Sequence, residues 1–314
     1  MKTIDIVLPV YNEEEGIERF YVALWEAVEP LRPRYRFRVI FVLDRSTDRS
    51  LEVLTGIAKR SPEVTVLHLS SRFGHQAALV AGIDHSTGDA VIMMDSDFQH
   101  PPSLIPLLLD KFEEGYDIVH TVRSYDPDTS AVKRLMSAAF YRIQNALSPV
   151  ELRQGAADFR LVSRKVADVF RHAVREQNPF LRGLFQWIGF RSTTVAFLSQ
   201  PRLAGESKYR AGRLLAFAIT GILSFSKLPL RLAGLLGLSF SLLGAMYGAV
   251  VVYKYMVAGQ IPPGYTTLIV SVLLIGGVQL VVLWIMGEYI GSIFDEVKAR
   301  PLYVVDEIIG GGPR

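Results

Sequence analysis

The sequence predicts an α/β domain on a mostly parallel sheet, followed by a helix lying in a membrane interface and a two-helix transmembrane hairpin. Three observations predict it. Up to about Pro201, short apolar runs alternate with helical patterns at the spacing of βα units, as expected for a parallel sheet covered on both faces. From about Leu214 the chain turns strongly apolar, and two stretches there are long enough to cross about 30 Å of hydrocarbon. Acidic and hydroxyl residues recur just after the apolar runs, where open α/β sheets bind ligands.

Ile4 to Val10 is apolar apart from Asp5 and reads as a first buried strand, ended by Pro9-Val10-Tyr11-Asn12-Glu13. Glu14 to Glu29 repeats Ile17, Phe20, Tyr21, Leu24, Trp25 and Val28 at helical spacing. Arg38 to Leu43 is a second strand ending at Asp44, and Ser46-Thr47-Asp48 can cap a helix running to Arg60. Further strands are predicted at residues 64–69, 90–94, 116–122 and 193–197, with helices at 76–84, 102–114, 129–147 and 163–175. Gly155 to Leu161 interrupts the last two helices. An aromatic-rich segment from Pro179 to Phe190 precedes the last strand, and the loop Pro201 to Tyr209 follows it.

The stretch Ala90-Val91-Ile92-Met93-Met94-Asp95-Ser96-Asp97 organises the rest. Residues i and i+2 of an extended segment point the same way, so Asp95 and Asp97 can converge on one point. Two hard oxygen ligands at the carboxyl edge of a sheet suit Mg²⁺ or Mn²⁺, which keep their other sites for water and substrate phosphates. An acidic turn without a metal has the same pattern. No Gly-x-x-x-x-Gly-Lys occurs, nor a Gly-x-Gly-x-x-Gly after the first strand, which argues against P-loop and dinucleotide enzymes.

Within 314 residues, half of them hydrophobic, there is room for one large domain and a membrane segment. A net charge of +3 without a basic run argues against nucleic acid. No cysteine is present, so disulfides, thiolate metal sites and a Cys nucleophile are excluded. Asp5 and the short apolar run before Glu13 argue against a signal peptide.

Leu214 to Ser226, flanked by Arg210, Arg213, Lys227 and Arg231, reads as an amphipathic interfacial helix. Spans are predicted at about 232–256 and 266–288, joined by a short uncharged turn through Gly264. Basic residues precede the first span and follow the second (Lys298, Arg300), so both ends of the hairpin should face the cytoplasm. The expected layout is a cytoplasmic domain at 1–209, a juxtamembrane helix at 210–231, spans within 232–290 and a cytoplasmic tail at 291–314. This makes a multi-pass protein of the cell (inner) membrane.

Five motifs, in order, resemble the polyprenyl-phosphate glycosyltransferases of family 2, which have the GT-A fold. They are Pro9-Val10-Tyr11-Asn12-Glu13, Asp44 with Ser46-Thr47-Asp48, Asp95-Ser96-Asp97-Phe98-Gln99-His100-Pro101-Pro102, Ala157-Asp158-Phe159-Arg160-Leu161 and Ala204-Gly205-Glu206-Ser207-Lys208-Tyr209. The resemblance covers residues 1 to about 300. It departs at Leu43-Asp44-Arg45, where the family usually has two acids and a glycine, and this bears on base and ribose contacts.

The resemblance implies transfer of a hexose, best matched by glucose from UDP-glucose, to undecaprenyl or another polyprenyl phosphate. The lipid-linked sugar would serve cell-surface glycan modification. Pro9, Tyr11, Glu13 and Asp44 would hold the nucleoside. Asp95, Asp97 and Gln99 would hold Mg²⁺ or Mn²⁺ and the diphosphate. Arg123, Arg134 and Arg160 would face the acceptor phosphate, and Arg202 and Lys208 would close over the donor. Asp97, Asp158 and Arg160 form the implied catalytic group. Asp158 is left open between assisting catalysis, orienting the sugar and pairing with Arg160.

A lipid phosphate is already ionised at neutral pH, so no strong general base is demanded. The site must instead stabilise a leaving diphosphate and position a dianion with arginines. Displacement in one step would invert the anomeric carbon. Arg142 reads as a solvated helix residue, and His75 and His100, lacking ligand-spaced partners, read as structural. Two alternatives stay open: a polymer-forming synthase, which would normally need more spans, and a membrane scaffold with a degenerate transferase domain, suggested by Leu43 and Arg45. A homo-oligomer is compatible with the sequence.

Overall fold

The structure, a computed structural model, describes residues 1–124, 155–198, 226, 228–258 and 264–311. Two compact units divide the chain, Met1–Gly221 with Pro301–Arg314, and Ile222–Arg300. In chain order the elements are β1 (Lys2–Val10), α1 (Ile17–Val28), β2 (Tyr35–Leu43), α2 (Ser50–Arg60), β3 (Val64–Leu69), α3 (His75–His85), β4 (Ala90–Met93), α4 (Ile105–Glu113), β5 (Ile118–Ser124), β6 (Ala156–Ser163), α5 (Arg164–His172), α6 (Leu181–Trp187), β7 (Ser192–Leu198), α7 (Leu228–Ala258), α8 (Tyr265–Lys298) and β8 (Val305–Gly310).

The first unit is built on one sheet in the order β7-β5-β6-β4-β1-β2-β3-β8. Continuous apolar runs make its centre because both faces are covered. On one face, Ile4, Ile6, Leu8 and Val10 of β1 join Ile17, Phe20, Leu24 and Val28 of α1 in the core. On the other, α3 lies so close to β1 that a Cβ on Gly82 would come within 2.1 Å of Val7 Cγ1. Residues Ala77 to Ile83 are all buried, so α3 is enclosed on every side rather than amphipathic.

Two strands depart from the predicted parallel order. β6, expected only as an interruption, lies antiparallel between β4 and β5. β8 pairs antiparallel with β3, so residues expected to form a tail return to the sheet edge after the hairpin. Its sequence, Val305-Asp306-Glu307-Ile308-Ile309-Gly310, is too short and too acidic for a period-two signal to stand out. The expected cap of α2 also differs. Arg49 is the N-cap residue, while Asp48 accepts hydrogen bonds from the Ser50 and Glu14 amides and so ties α2 to the β1–α1 loop.

In the second unit, α7 and α8 contain segments of mean hydropathy 2.0 and 1.6 that are long and apolar enough to cross a membrane. At 31 residues, α7 would extend about 46 Å at ~1.5 Å per residue. Leu235, Leu242, Leu280 and Leu283 are each more than half exposed, a surface that hydrocarbon satisfies and water does not. Both helices extend past the spans predicted from sequence. Within this unit the Tyr289 hydroxyl donates to the Ser226 carbonyl at 2.6 Å. The rest of the predicted interfacial helix lies outside the described residues.

The docking of β8 yields a stability prediction. Gly310 has φ +75, and a Cβ there would meet the Val64 carbonyl oxygen at 2.6 Å. Gly310→Val should therefore destabilise the first unit by about 1–3 kcal/mol, read as a lower urea midpoint for the purified protein. An unchanged midpoint would mean that the strand does not dock against β3.

Candidate active site

The carboxyl ends of β1, β2 and β4 meet at one edge of the sheet, because Val10 pairs with Leu43 and Val7 with Met93. Tyr11, Asp44 and Asp95 therefore leave the sheet side by side. β6 enters at the same edge from the opposite direction. Arg160 pairs with Met93, the last residue of β4, and Asp158 lies two residues before it on β6 at the same edge. β5 ends here too, with Arg123 exposed.

Beyond Met94, whose amide donates to Val7, the chain makes a closed turn. The Asp95 amide donates to His100 Nδ1 at 2.9 Å, and the Gln99 amide donates to Asp97 Oδ1 at 3.0 Å. Phe98 sits at φ +63 and packs edge-on against Phe20 at 5.3 Å. Arg123 Nη2 donates to Gln99 Oε1 at 3.2 Å, which ties β5 to the turn. His100 is buried, and burial lowers its pKa against the opposing pull of Asp95, Asp97 and Asp158.

Opposite this turn lies a buried ion cluster. Arg182, from α6, grips Asp158 with both arms of its fork, Nε to Oδ1 at 3.0 Å and Nη2 to Oδ2 at 2.8 Å. Arg160 Nη2 donates to Asp158 Oδ1 at 3.2 Å and to the Ala157 carbonyl at 3.0 Å, and its guanidinium lies 4.6 Å from the Phe185 ring centroid. Burial opposes ionisation of Asp158, but Arg182, then Arg160 and His75, hold its carboxyl well below the usual carboxylate range. Burial also lowers the Arg160 pKa to about 10, against the attraction of Asp158. His75, the first residue of α3, bridges the two halves, with Nε2 3.6 Å from Asp95 Oδ1 and 3.8 Å from Asp158 Oδ2.

A third group surrounds Tyr11. Arg72 stacks 4.1 Å from the Tyr11 ring centroid. The loop carrying it is held by Asp44, whose two oxygens accept the Phe73 and Gly74 amides at 2.8 and 2.9 Å. Asp44 is buried and Pro9 is enclosed within β1, so these two support the loops at this edge from beneath. The Glu13 amide donates to Ser50 Oγ.

Among the described residues no group of three or more His, Asp or Glu side chains is gathered for a metal. Asp95 and Asp97 still fit Mg²⁺ or Mn²⁺, since these ions accept two carboxylates and draw their remaining ligands from water and phosphate. Arg134, Arg142, Arg202 and Lys208 lie outside the described residues.

Residues 5–170 match the model of glycosyl transferase family 2. The chain belongs to that family. An uncharacterized glycosyltransferase of Synechocystis sp. is 40% identical over 98% of this chain and 96% of its own. The bactoprenol glucosyl transferase of Shigella phage SfII is 38% identical, covering 99% of each chain. Glucosyl-3-phosphoglycerate synthase of Mycobacterium tuberculosis, solved with Mn²⁺ and UDP, aligns over 71% of this chain and 78% of its own, at 22% identity and a TM-score of 0.44. The protein is thus a glycosyltransferase, with the α/β fold of the GT-A class.

The departure of this transferase from the family pattern has a structural account. Leu43 is wholly buried in the core, and Arg45 Nη1 donates to the Ser70 carbonyl at 2.8 Å, bracing the loop that carries Arg72. Sequence reasoning missed Arg182, the main partner of Asp158. Its one available signal was a lone charge in the apolar run Phe180-Leu181-Arg182-Gly183-Leu184-Phe185.

Of the open roles for Asp158, ion pairing is the one visible in the structure, and with Arg182 as well as Arg160. Removing one partner from a buried ion cluster leaves uncompensated charge, so Asp158→Ala should cost about 3–5 kcal/mol of stability. Urea unfolding measures this. An unaltered midpoint together with lost activity would assign Asp158 to chemistry alone.

Proposed function

We propose that this transferase moves a hexose, glucose from UDP-glucose, onto undecaprenyl or another polyprenyl phosphate at the cytoplasmic face of the cell membrane. One observation carries the reading. Asp158, which could otherwise serve as a base, is held by two guanidinium groups that depress its basicity, and His75 spans from it to Asp95. An alcohol acceptor would need a base, whereas a phosphate acceptor arrives already ionised. The 38% identity to a phage enzyme named bactoprenol glucosyl transferase and the two apolar helices support the same reading.

In this scheme Tyr11, Arg72 and Glu13 surround the nucleoside, with Pro9 and Asp44 supporting the loops from beneath. Asp95 and Asp97 hold a divalent cation on the donor diphosphate. When bound, that cation neutralises charge developing on the leaving group. Gln99 keeps Arg123 against the turn, and Arg202 and Lys208 close over the diphosphate. Arg123 and Arg134 grip the acceptor phosphate, while the buried Arg160 acts through Asp158. The phosphate oxygen attacks the anomeric carbon as the UDP oxygen leaves, inverting configuration. Holding both reactants in line supplies most of the rate gain when no base is needed.

Transfer from labelled UDP-glucose to undecaprenyl phosphate by the purified protein tests this function. Activity should require Mg²⁺ or Mn²⁺, and Asp97→Asn should lower it at least about 100-fold without changing the unfolding midpoint. Full turnover in EDTA would refute the cation role. Arg123→Lys retains charge but loses the planar fork. It should raise the KM for lipid phosphate about tenfold while leaving that for UDP-glucose nearly unchanged. A normal lipid KM would move the acceptor site away from Arg123.

A further inference from the structure

We infer that His100 is a positioning residue that sets the orientation of Asp95 through a backbone hydrogen bond. This rests on the proposed reading of Asp95 and Asp97 as cation ligands. Asp95 is the residue at which the sheet ladder is left behind, since the preceding amide, of Met94, still donates to Val7 of β1. The Asp95 amide therefore needs an acceptor from outside the ladder, or a polar group is left unpaired at the edge of the core. His100 Nδ1 supplies that acceptor at 2.9 Å, and the same nitrogen lies 3.4 Å from Asp95 Oδ2. Because Nδ1 accepts the amide it has no proton to give Oδ2, so it is the backbone bond that fixes the point from which the Asp95 carboxylate leaves the chain.

The imidazole itself has little freedom. It is 1% exposed, stacked on Phe159 at 5.4 Å and met edge-on by Phe197 at 6.0 Å. Phe159 lies between Asp158 and Arg160 on β6, so the strand that carries the ion cluster also seats His100. The turn between is closed further by the bond from the Gln99 amide to Asp97 and by Phe98 at positive φ. An imidazole meets two demands at this place. It offers a flat face for packing between two phenylalanines and an in-plane acceptor for the amide. Phenylalanine or leucine would satisfy only the first demand, whereas asparagine keeps an acceptor atom near the position of Nδ1.

The test is Mn²⁺ binding to the purified full chain in the presence of UDP, followed by electron paramagnetic resonance, with the unfolding midpoint measured in parallel. Loss of a group that orients a metal ligand typically weakens metal affinity about 10–100-fold. His100→Phe should fall in that range while remaining folded, and His100→Asn should bind Mn²⁺ within a few-fold of the wild type. His100→Leu carries the same comparison if phenylalanine prevents folding. In turnover, the Mn²⁺ activation constant of His100→Phe should rise while the KM for lipid phosphate stays constant. Wild-type affinity in folded His100→Phe or His100→Leu would overturn the inference. So would an equal loss in folded His100→Asn, which would make packing alone responsible. If the wild type itself binds no Mn²⁺ with UDP present, the cation reading fails and this inference fails with it.

Discussion

A carboxylate buried inside a sheet must be matched by positive charge, and that requirement at Asp158 governs the carboxyl edge of the sheet in this transferase. β6 alternates as a strand should. Ala157, Phe159 and Leu161 enter the hydrophobic core, while Asp158 and Arg160 point to the other face. That face is covered by α6, which supplies Arg182 for the carboxylate and, three residues on, Phe185 for the Arg160 guanidinium. Leu181, Leu184 and Phe185 are buried, and Phe185 lies 4.2 Å from Phe170 of α5. The same helix thus provides charge compensation and apolar cover.

The other loops at this edge are fastened by short polar side chains acting on backbone amides. Asn12 Oδ1 accepts the Thr47 amide, and Ser46 Oγ accepts the Asn12 amide, so the first two βα loops brace each other. The third is pinned by Asp44 and Arg45 and by the bond from the Ser70 amide to the Val304 carbonyl. Val304 immediately precedes β8, and Tyr303 donates to Asp84 at 2.8 Å. The segment that follows the second apolar helix is therefore integrated into the first unit, touching the loop that carries Arg72.

That arrangement also accounts for the departure at Leu43-Asp44-Arg45. An acid at position 43 would sit fully buried beside Val10, its partner on β1, whereas leucine fills the space with apolar contact. A glycine at position 45 would leave the Ser70 carbonyl without its guanidinium partner. Both residues are accommodated by packing and loop bracing.

Much of the architecture was written in local pattern. The β1 to β5 strands, their intervening helices and both long apolar helices follow from runs and periodicities that a buried sheet and a hydrocarbon layer impose. Asp95 and Asp97 were expected at the carboxyl end of the fourth strand and lie just beyond it, though in a closed turn rather than in an extended segment. Tertiary structure alone decided the rest. Arg182 meets Asp158 across 24 residues of sequence, and His100 acts on Asp95 by closing a turn, and neither spacing follows a helical or strand period. The direction of β6 and the return of β8 depend on pairing between distant segments, which no local hydrophobic pattern encodes. The sequence by itself placed Tyr11, Asp44, Asp95 and Asp97 just after the apolar runs that become β1, β2 and β4. Which of them face a substrate and which spend their charge on one another was decided only when burial forced each buried ion to find a partner.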